Sequence, residues 1–356
     1  MMGFVLVFLC MTSFGIWQLI PHHAIQSHGT AFIIDGIAYE SNNDPIAIYE
    51  LADITTHGIT GEGTQESPYL IENRIINIAD NNIGIYIYLN AVYRIRNCII
   101  NGGMYGIRMQ YGQDSIVEHC LIANAYYGIN TDTTTQNITI QYCRVVNGTL
   151  YGNPPPSPYS QGYRIEGSSN LIQHNSVESC IAGIVSTASY TNITNNTALF
   201  NQDSGIQAWG SYVYIENNTA SYNGKVASTF TNAGIVGTVS HSVIQNNTCH
   251  YNLAYGLAIW SSGYNVTLRI NVLQHNYYAG IIVRYSTVMN LTYNNITDSN
   301  YGIVILGIYN DQIHATYNNI TNMFYAGFQL QGIKHSIFAS NYLGNVSSGF
   351  YHEYLG

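Results

Sequence analysis

The chain has 356 residues, 46% hydrophobic and only 8% charged, and its 10 Lys and Arg against 19 Asp and Glu give a net charge of -9. That hydrophobic share can bury a large core and excludes a disordered polymer, while a charged fraction far below the roughly one quarter of an average soluble protein leaves Asn, Ser, Thr and Tyr to wet the surface. With no basic run to neutralise phosphates, nucleic acid is excluded as a partner.

In chain order, residues 3–21, GFVLVFLCMTSFGIWQLIP, come first: a long uncharged apolar run. At about 18 residues it lies between a signal-peptide core and a membrane span. Residues 1–21 are therefore expected to be a signal peptide or N-terminal membrane anchor, although no Lys or Arg precedes Arg74. Either reading exports the rest and limits membrane contact to this segment. Residues 22–60 are expected to be a linker and N-terminal cap region, and 61–356 a repeat domain.

That domain carries two recurring marks. A glycine followed by an apolar residue recurs at Gly84, Gly106, Gly128, Gly162, Gly183, Gly205, Gly234, Gly256, Gly280, Gly302, Gly327 and Gly349, mostly 21 to 25 residues apart. The position after it reads Ile85, Ile107, Ile129, Tyr163, Ile184, Ile206, Ile235, Leu257, Ile281, Ile303, Phe328 and Phe350, a column that must face inward. Farther on comes a polar pair, from Asn97-Cys98, His119-Cys120 and Tyr142-Cys143 to His174-Asn175, Asn195-Asn196, Asn217-Asn218, Asn246-Asn247, Asn294-Asn295 and Asn318-Asn319. β-Branched residues such as Ile95, Val117, Ile140 and Ile193 precede the pair by two.

A unit this short, with strands too short to stand alone, buries its apolar columns only by stacking on copies of itself. The expected fold is all-β, a single-stranded parallel β-helix of about 12 coils of roughly 22 residues. Asn tolerates the left-handed backbone of a tight corner, and stacked amides hydrogen-bond between coils. Asn97, Cys98, Cys120, Cys143, Asn175, Asn196, Asn218, Asn247, Asn295 and Asn319 are thus expected to form a structural ladder, with the cysteines as small buried thiols in asparagine positions. Their spacing is not that of metal ligands.

On these marks, and on the leader-like GEGTQESPYLIEN at 61–73, the sequence resembles the right-handed parallel β-helix repeat family. This is the pectate-lyase-like superfamily, with its NosD-type and carbohydrate-binding and sugar-hydrolase modules. The resemblance covers about residues 60–356. It implies a right-handed solenoid, in agreement with the usual crossover of parallel strands.

The second and fourth residues after each glycine point outward. Among them are Tyr86/Tyr88, Arg108/Gln110, Asn130/Asp132, Arg164/Glu166, Gln207/Trp209 and Ala258/Trp260. Two insertions, 149–161 and 223–233, enter at one edge and would wall a cleft over this face. Tyr86, Tyr88, Arg108, Trp209 and Trp260 are candidate binding residues, since flat aromatic rings stack on sugars. Asp132 and Glu166 share a column in consecutive coils, a separation of about 5 Å that suits a retaining glycosidase pair, with Arg164 positioning a uronate. The calcium-binding aspartate cluster and the Asp-Pro-His-Glu string of the resembled lyases and epimerases are missing from the sequence.

The NosD-type resemblance adds copper handling as a reading, for which His250 and His275, on consecutive coils, are the pair to test. Eleven Asn-x-Ser/Thr sequons, Asn137, Asn147, Asn192, Asn265, Asn290 and Asn345 among them, mark a surface open to glycosylation, although corner asparagines inflate that count. The leading expectation is an exported, cell-surface or secreted, non-catalytic module that binds a polysaccharide or surface glycan, or another surface protein, without a cofactor. End-to-end contact at an uncapped last coil is a further expectation. The alternatives are a polysaccharide-active enzyme (glycosidase, lyase or epimerase) and a copper-handling accessory protein.

Overall fold

The computed structural model describes residues 44–352, except 79–81, 149–159, 225–231 and 262, and the backbone of three short antiparallel strands, Gln26–His28, Ala31–Ile34 and Ile37–Glu40. The leader 1–21 and most of both insertions lie outside the described residues. No helix among the described residues is long and apolar enough to cross a membrane.

One coil shows how the sequence builds the whole. Its three strands, Tyr105–Met109, Ile116–Glu118 and Leu121–Ala123, form three faces, here called the glycine, second and third faces. Each pairs in parallel with its counterpart one turn later, in the registers Ile107↔Ile129, Val117↔Ile140 and Ile122↔Val145. These six side chains are at most 1% exposed and belong to one core that runs the length of the solenoid. β-Branched residues suit this pleated stack, and strands this short are held by neighbouring coils. The repeat continues for about 11 right-handed turns about 23 residues apart.

The sheet starts earlier than Gly61. Ile46–Ile48 pairs in parallel with Ile83–Ile87, inside the stretch expected to be linker and cap, and a short helix, Leu51–Thr56, follows it.

The glycine column answers to space. A Cβ on Gly128 would stand 2.4 Å from the carbonyl oxygen of Gly162 and 2.5 Å from Cγ1 of Val145, closer than atoms approach without something moving.

The corner between second and third faces is a left-handed residue followed by an inward polar one. Asn97, His119, Tyr142, His174, Asn195, Asn217 and Asn246 hold φ between 52° and 57°. Behind the last of these the inward amides hydrogen-bond coil to coil, Asn175 to Asn196 (3.1 Å), Asn196 to Asn218 (3.0 Å) and Asn218 to Asn247 (3.0 Å). In earlier coils Cys98, Cys120 and Cys143 are buried free thiols in the same column, and the Cys143 amide N–H donates to Asn175 Oδ1 at 2.9 Å.

Three expected members are not in this ladder. It continues through Asn271, Asn294, Asn318 and Asn341, so Asn295 and Asn319 fall one residue late and form an outer pair of their own at 2.8 Å. The cause is that Tyr293 and Tyr317, each at φ 57°, take the left-handed position, which moves the inward site to the first Asn of the pair. Asn97 likewise holds the left-handed position and reaches Asn73 outside the core, at 3.2 Å.

A second internal ladder closes the corner between third and glycine faces: Asn201 to Asn223, Asn223 to Asn252 and Asn252 to Asn276, at 3.0–3.1 Å. Outside both ladders the left-handed aromatic residues stack along the axis. His119, Tyr142 and His174 form one column, and Phe200, Tyr222, Tyr251 and His275 another, with ring centroids 4.6–5.1 Å apart.

Candidate functional site

The outer surface of the glycine face divides in two. In its N-terminal part Tyr86, Arg108, Asn130 and Arg164 stand in register on successive strands, a rise of about 14 Å. In its C-terminal part the corresponding Val236, Ala258, Ile282 and Val304 are at most 1% exposed, packed under Tyr255, Trp260, Tyr278, Tyr301 and Leu306.

The first part is an aromatic and polar surface. Tyr49 meets Tyr86 edge-on at 5.3 Å, and Tyr88 meets Tyr111 edge-on at 5.2 Å. Tyr88 and Tyr111 are exposed. The Arg108 guanidinium lies 4.8 Å from the Tyr105 ring and 5.6 Å from that of Tyr86, and Tyr105 stacks on Tyr127 at 4.9 Å. The Tyr86 hydroxyl donates to Oε1 of Gln110, whose Nε2 donates to Oδ2 of Asp132 at 2.8 Å. Burial pushes the hydroxyls of Tyr86 and Tyr105 above the usual phenol range, so both remain neutral donors at physiological pH.

Asp132 and Glu166 occupy adjacent coils but serve different neighbours. Parallel pairing between their strands ends at Asn130↔Arg164, and Glu166 N instead donates to the Thr131 hydroxyl at 2.9 Å. Asp132 accepts from Gln110 and, at 3.0 Å, from the Thr134 amide N–H. Glu166 accepts from Arg164 of its own strand end, at 2.8 Å from Nε and 2.6 Å from the terminal nitrogen. Arg164 is thus ion-paired within its own coil.

Trp209 is half-buried and pairs in register with Thr238, in the transition between the two parts. Trp260 belongs to the apolar cover, edge-on to Tyr255 at 5.6 Å and 5.4 Å from the Arg284 guanidinium. The five binding candidates therefore fall into a group of three, Tyr86, Tyr88 and Arg108, and two separate tryptophans.

His250 is in register with Gln274, so His275 lies one residue past it, stacked on Tyr251 at 4.6 Å and 3.7 Å from Asp298. Burial, aided by His275, lowers the His250 pKa. No group of three His, Cys, Asp or Glu residues able to hold a metal ion occurs among the described residues, so neither histidine finds a third ligand there.

The family model of the right-handed β-helix region matches residues 57–220 and 161–314. The chain belongs to this family. No curated protein matches this β-helix in sequence. Among solved structures it is similar to the surface adhesin PfbA of Streptococcus pneumoniae, at 12% identity over 74% of this chain and 80% of that one, with a TM-score of 0.57. It is also similar to the alginate lyase AlyF-OU02 complexed with G6, at 10% identity over 86% of each chain, with a TM-score of 0.52. At such identities the likeness is one of fold.

Three residues of the aromatic surface of this β-helix, Tyr49, Gln110 and Tyr111, are not among the binding candidates drawn from the sequence. Tyr49 precedes the first glycine mark, and Tyr111 sits at a left-handed corner, φ 58°, beyond the strand. Gln110 stands in the outward column, but a lone amide there gives no signal of the contacts it makes on both sides.

Proposed function

We propose that this β-helix is an exported surface protein that binds a glycan on the N-terminal part of its outer glycine face without transforming it. The observation that carries this reading is the contiguous surface of Tyr49, Tyr86, Tyr88 and Tyr111 beside Arg108 and the Gln110–Asp132 pair. It offers ring faces and edges for sugar C–H groups and polar atoms for hydroxyls. The apolar leader supports export, and the fold is one shared with a surface adhesin and a polysaccharide lyase. Binding is favoured over catalysis because Asp132 and Glu166 each accept hydrogen bonds from neighbouring side chains and Arg164 is ion-paired to Glu166, so the expected pair of carboxylates and its arginine are engaged with separate partners rather than with one another across a shared site.

The test is to incubate the chain with neutral and uronate polysaccharides and to follow both retention and the appearance of new reducing or unsaturated ends. Retention without product, weakened about tenfold by Tyr86→Ala or Tyr88→Ala, is expected. Product that vanishes in Asp132→Asn or Glu166→Gln would replace this reading with a polysaccharide-active enzyme. Retention lost only in Trp209→Ala would move the binding surface along the face.

A further inference from the structure

The corner between third and glycine faces changes character along the axis. Phe200, Tyr222, Tyr251 and His275 stack ring on ring, all at left-handed φ, and each ring fills the space over its own coil. In the next three coils the same left-handed position is held by Asp298, Asn322 and Asn345, with φ of 56°, 60° and 51°. These side chains are too short to continue the column. They are tied to one another instead, Asn322 Nδ2 donating to Asp298 at 3.1 Å and Asn345 Nδ2 to Asn322 at 2.9 Å.

Where the rings stop, a groove of about 710 Å³ opens, with His275 at one end and the Asp298–Asn322–Asn345 line along it. That volume lies within the range of small-ligand sites. Tyr277 and Phe324, 69% and 67% exposed, stand beside it. These two rings are among the most exposed large side chains of the described residues, and both line this groove.

We infer that this groove is a second carbohydrate site, separate from the glycine face, which takes a neutral oligosaccharide lying along the solenoid axis. Four features select this ligand. The rings missing from three successive coils leave an opening in which a sugar ring can stack beyond His275. Amides and one carboxylate, repeated at the coil spacing of about 4.8 Å, offer paired donors and acceptors to vicinal hydroxyls. Tyr277 and Phe324 supply apolar planes for sugar C–H groups. The lining holds no Lys or Arg, and with a net charge of -9 over the chain this disfavours a polyanion. The site rests on residues that the glycine-face reading does not use, so either can fail without the other.

The experiment uses the full chain and short neutral oligosaccharides of glucose, mannose, galactose and N-acetylhexosamine, with binding read by ligand-observed saturation-transfer NMR. Asp298→Tyr extends the ring column by one coil and covers the face of His275, since Tyr222 and Tyr251 already show that tyrosine is accommodated in this backbone conformation. This variant is expected to fold, to keep or raise its unfolding midpoint and to lose the oligosaccharide. Phe324→Ala, at an exposed position, is expected to weaken binding about tenfold. The inference requires at least one oligosaccharide that is lost by Asp298→Tyr, weakened by Phe324→Ala and kept by Tyr86→Ala. It is overturned if no neutral oligosaccharide binds, if binding survives Asp298→Tyr, if binding follows Tyr86 alone, or if unstructured peptides bind the groove in preference to sugars.

Discussion

Tyr142 and His174 lie face to face across one coil, ring centroids 5.0 Å apart and planes within 5°, while both hold a left-handed backbone, φ 54° and 56°. Side chains with a Cβ visit that region at a cost of roughly 1–2 kcal/mol, and aromatic contacts return about 0.5–1.5 kcal/mol per pair. Tyr142 has two such contacts, the second with His119 at 5.1 Å. The column therefore offsets its own backbone strain, and it does so only as a stack.

The first prediction follows from that balance. Tyr142→Ala keeps the strain and loses both contacts, and should lower unfolding stability by about 1–2 kcal/mol. Tyr142→Asn loses the contacts but relieves the strain, because asparagine tolerates this conformation, and should cost less than half as much. Urea unfolding of the two variants checks the order. An alanine variant as stable as asparagine would show that stacking, not backbone preference, sets the corner.

The internal ladder contributes more than the stacked rings. Asn218 donates to Asn247 Oδ1 and to the carbonyl of Ile193, and accepts from both the backbone and side-chain nitrogens of Asn196. Asn218→Ala strands several of these groups in a dry core and is expected to cost about 3 kcal/mol or more. Cys143→Asn is the converse case. An asparagine amide there can reach Asn175 Oδ1, which already accepts the residue 143 N–H, so stability within about 1 kcal/mol of the parent is expected. Thermal unfolding that ranks Cys143→Asn below Asn218→Ala would disprove the shared column.

How much of this was readable depends on the residue. Gly128 and its column stand out because no other residue fits under the Gly162 carbonyl. The amide ladder shows where asparagines are doubled, as at Asn195-Asn196, but the doubling misleads at Asn294-Asn295. There Tyr293 takes the left-handed position, and nothing in a tyrosine announces that it will. The ladder from Asn201 to Asn276 leaves a subtler mark, an asparagine five residues after each inward amide and preceded by Phe200, Tyr222, Tyr251 or His275, which a search for doubled asparagines passes over. At the candidate site, Tyr86, Tyr88 and Arg108 follow from the glycine register. The partners of Asp132 and Glu166 do not, since a column fixes which coil a side chain leaves from and not which neighbour it turns toward.

Glu118 links the second face to pH. Burial alone would raise its pKa, but hydrogen bonds from the Gln141 amide, at 2.9 Å, and from Arg94 Nε, at 2.7 Å, outweigh burial and hold the carboxyl below the usual range. A depressed carboxylate pKa stabilises the fold above the unfolded-state value of about 4.3, and that stability is lost as pH falls through the lower folded-state value. Glu118→Gln should therefore destabilise the protein at pH 7 while flattening the acid limb of its stability curve below about pH 4.3. Parallel stability curves for parent and variant across that limb would sink the argument.

The thiols make the last prediction. Cys98, Cys120, Cys143, Cys180 and Cys249 are all buried and free. Hydrogen bonding with Cys120, and then burial, pushes Cys98 well above the ordinary thiol range, while burial leads for Cys120 and pushes Cys180 up to about 12. Because the thiolate is the reacting species, a thiol both inaccessible and hard to ionise should be inert twice over. The sixth cysteine of the chain, Cys10, lies outside the described residues. At pH 8 the folded protein should yield no more than one fast-reacting thiol to a soluble disulfide reagent, and the whole set after denaturation. Two or more fast thiols in the native protein would mean that coils open locally at the cysteine column. The Cys98–Cys143 stretch, where thiols replace the amide ladder, would then be the weakest part of the solenoid rather than a neutral substitution within it.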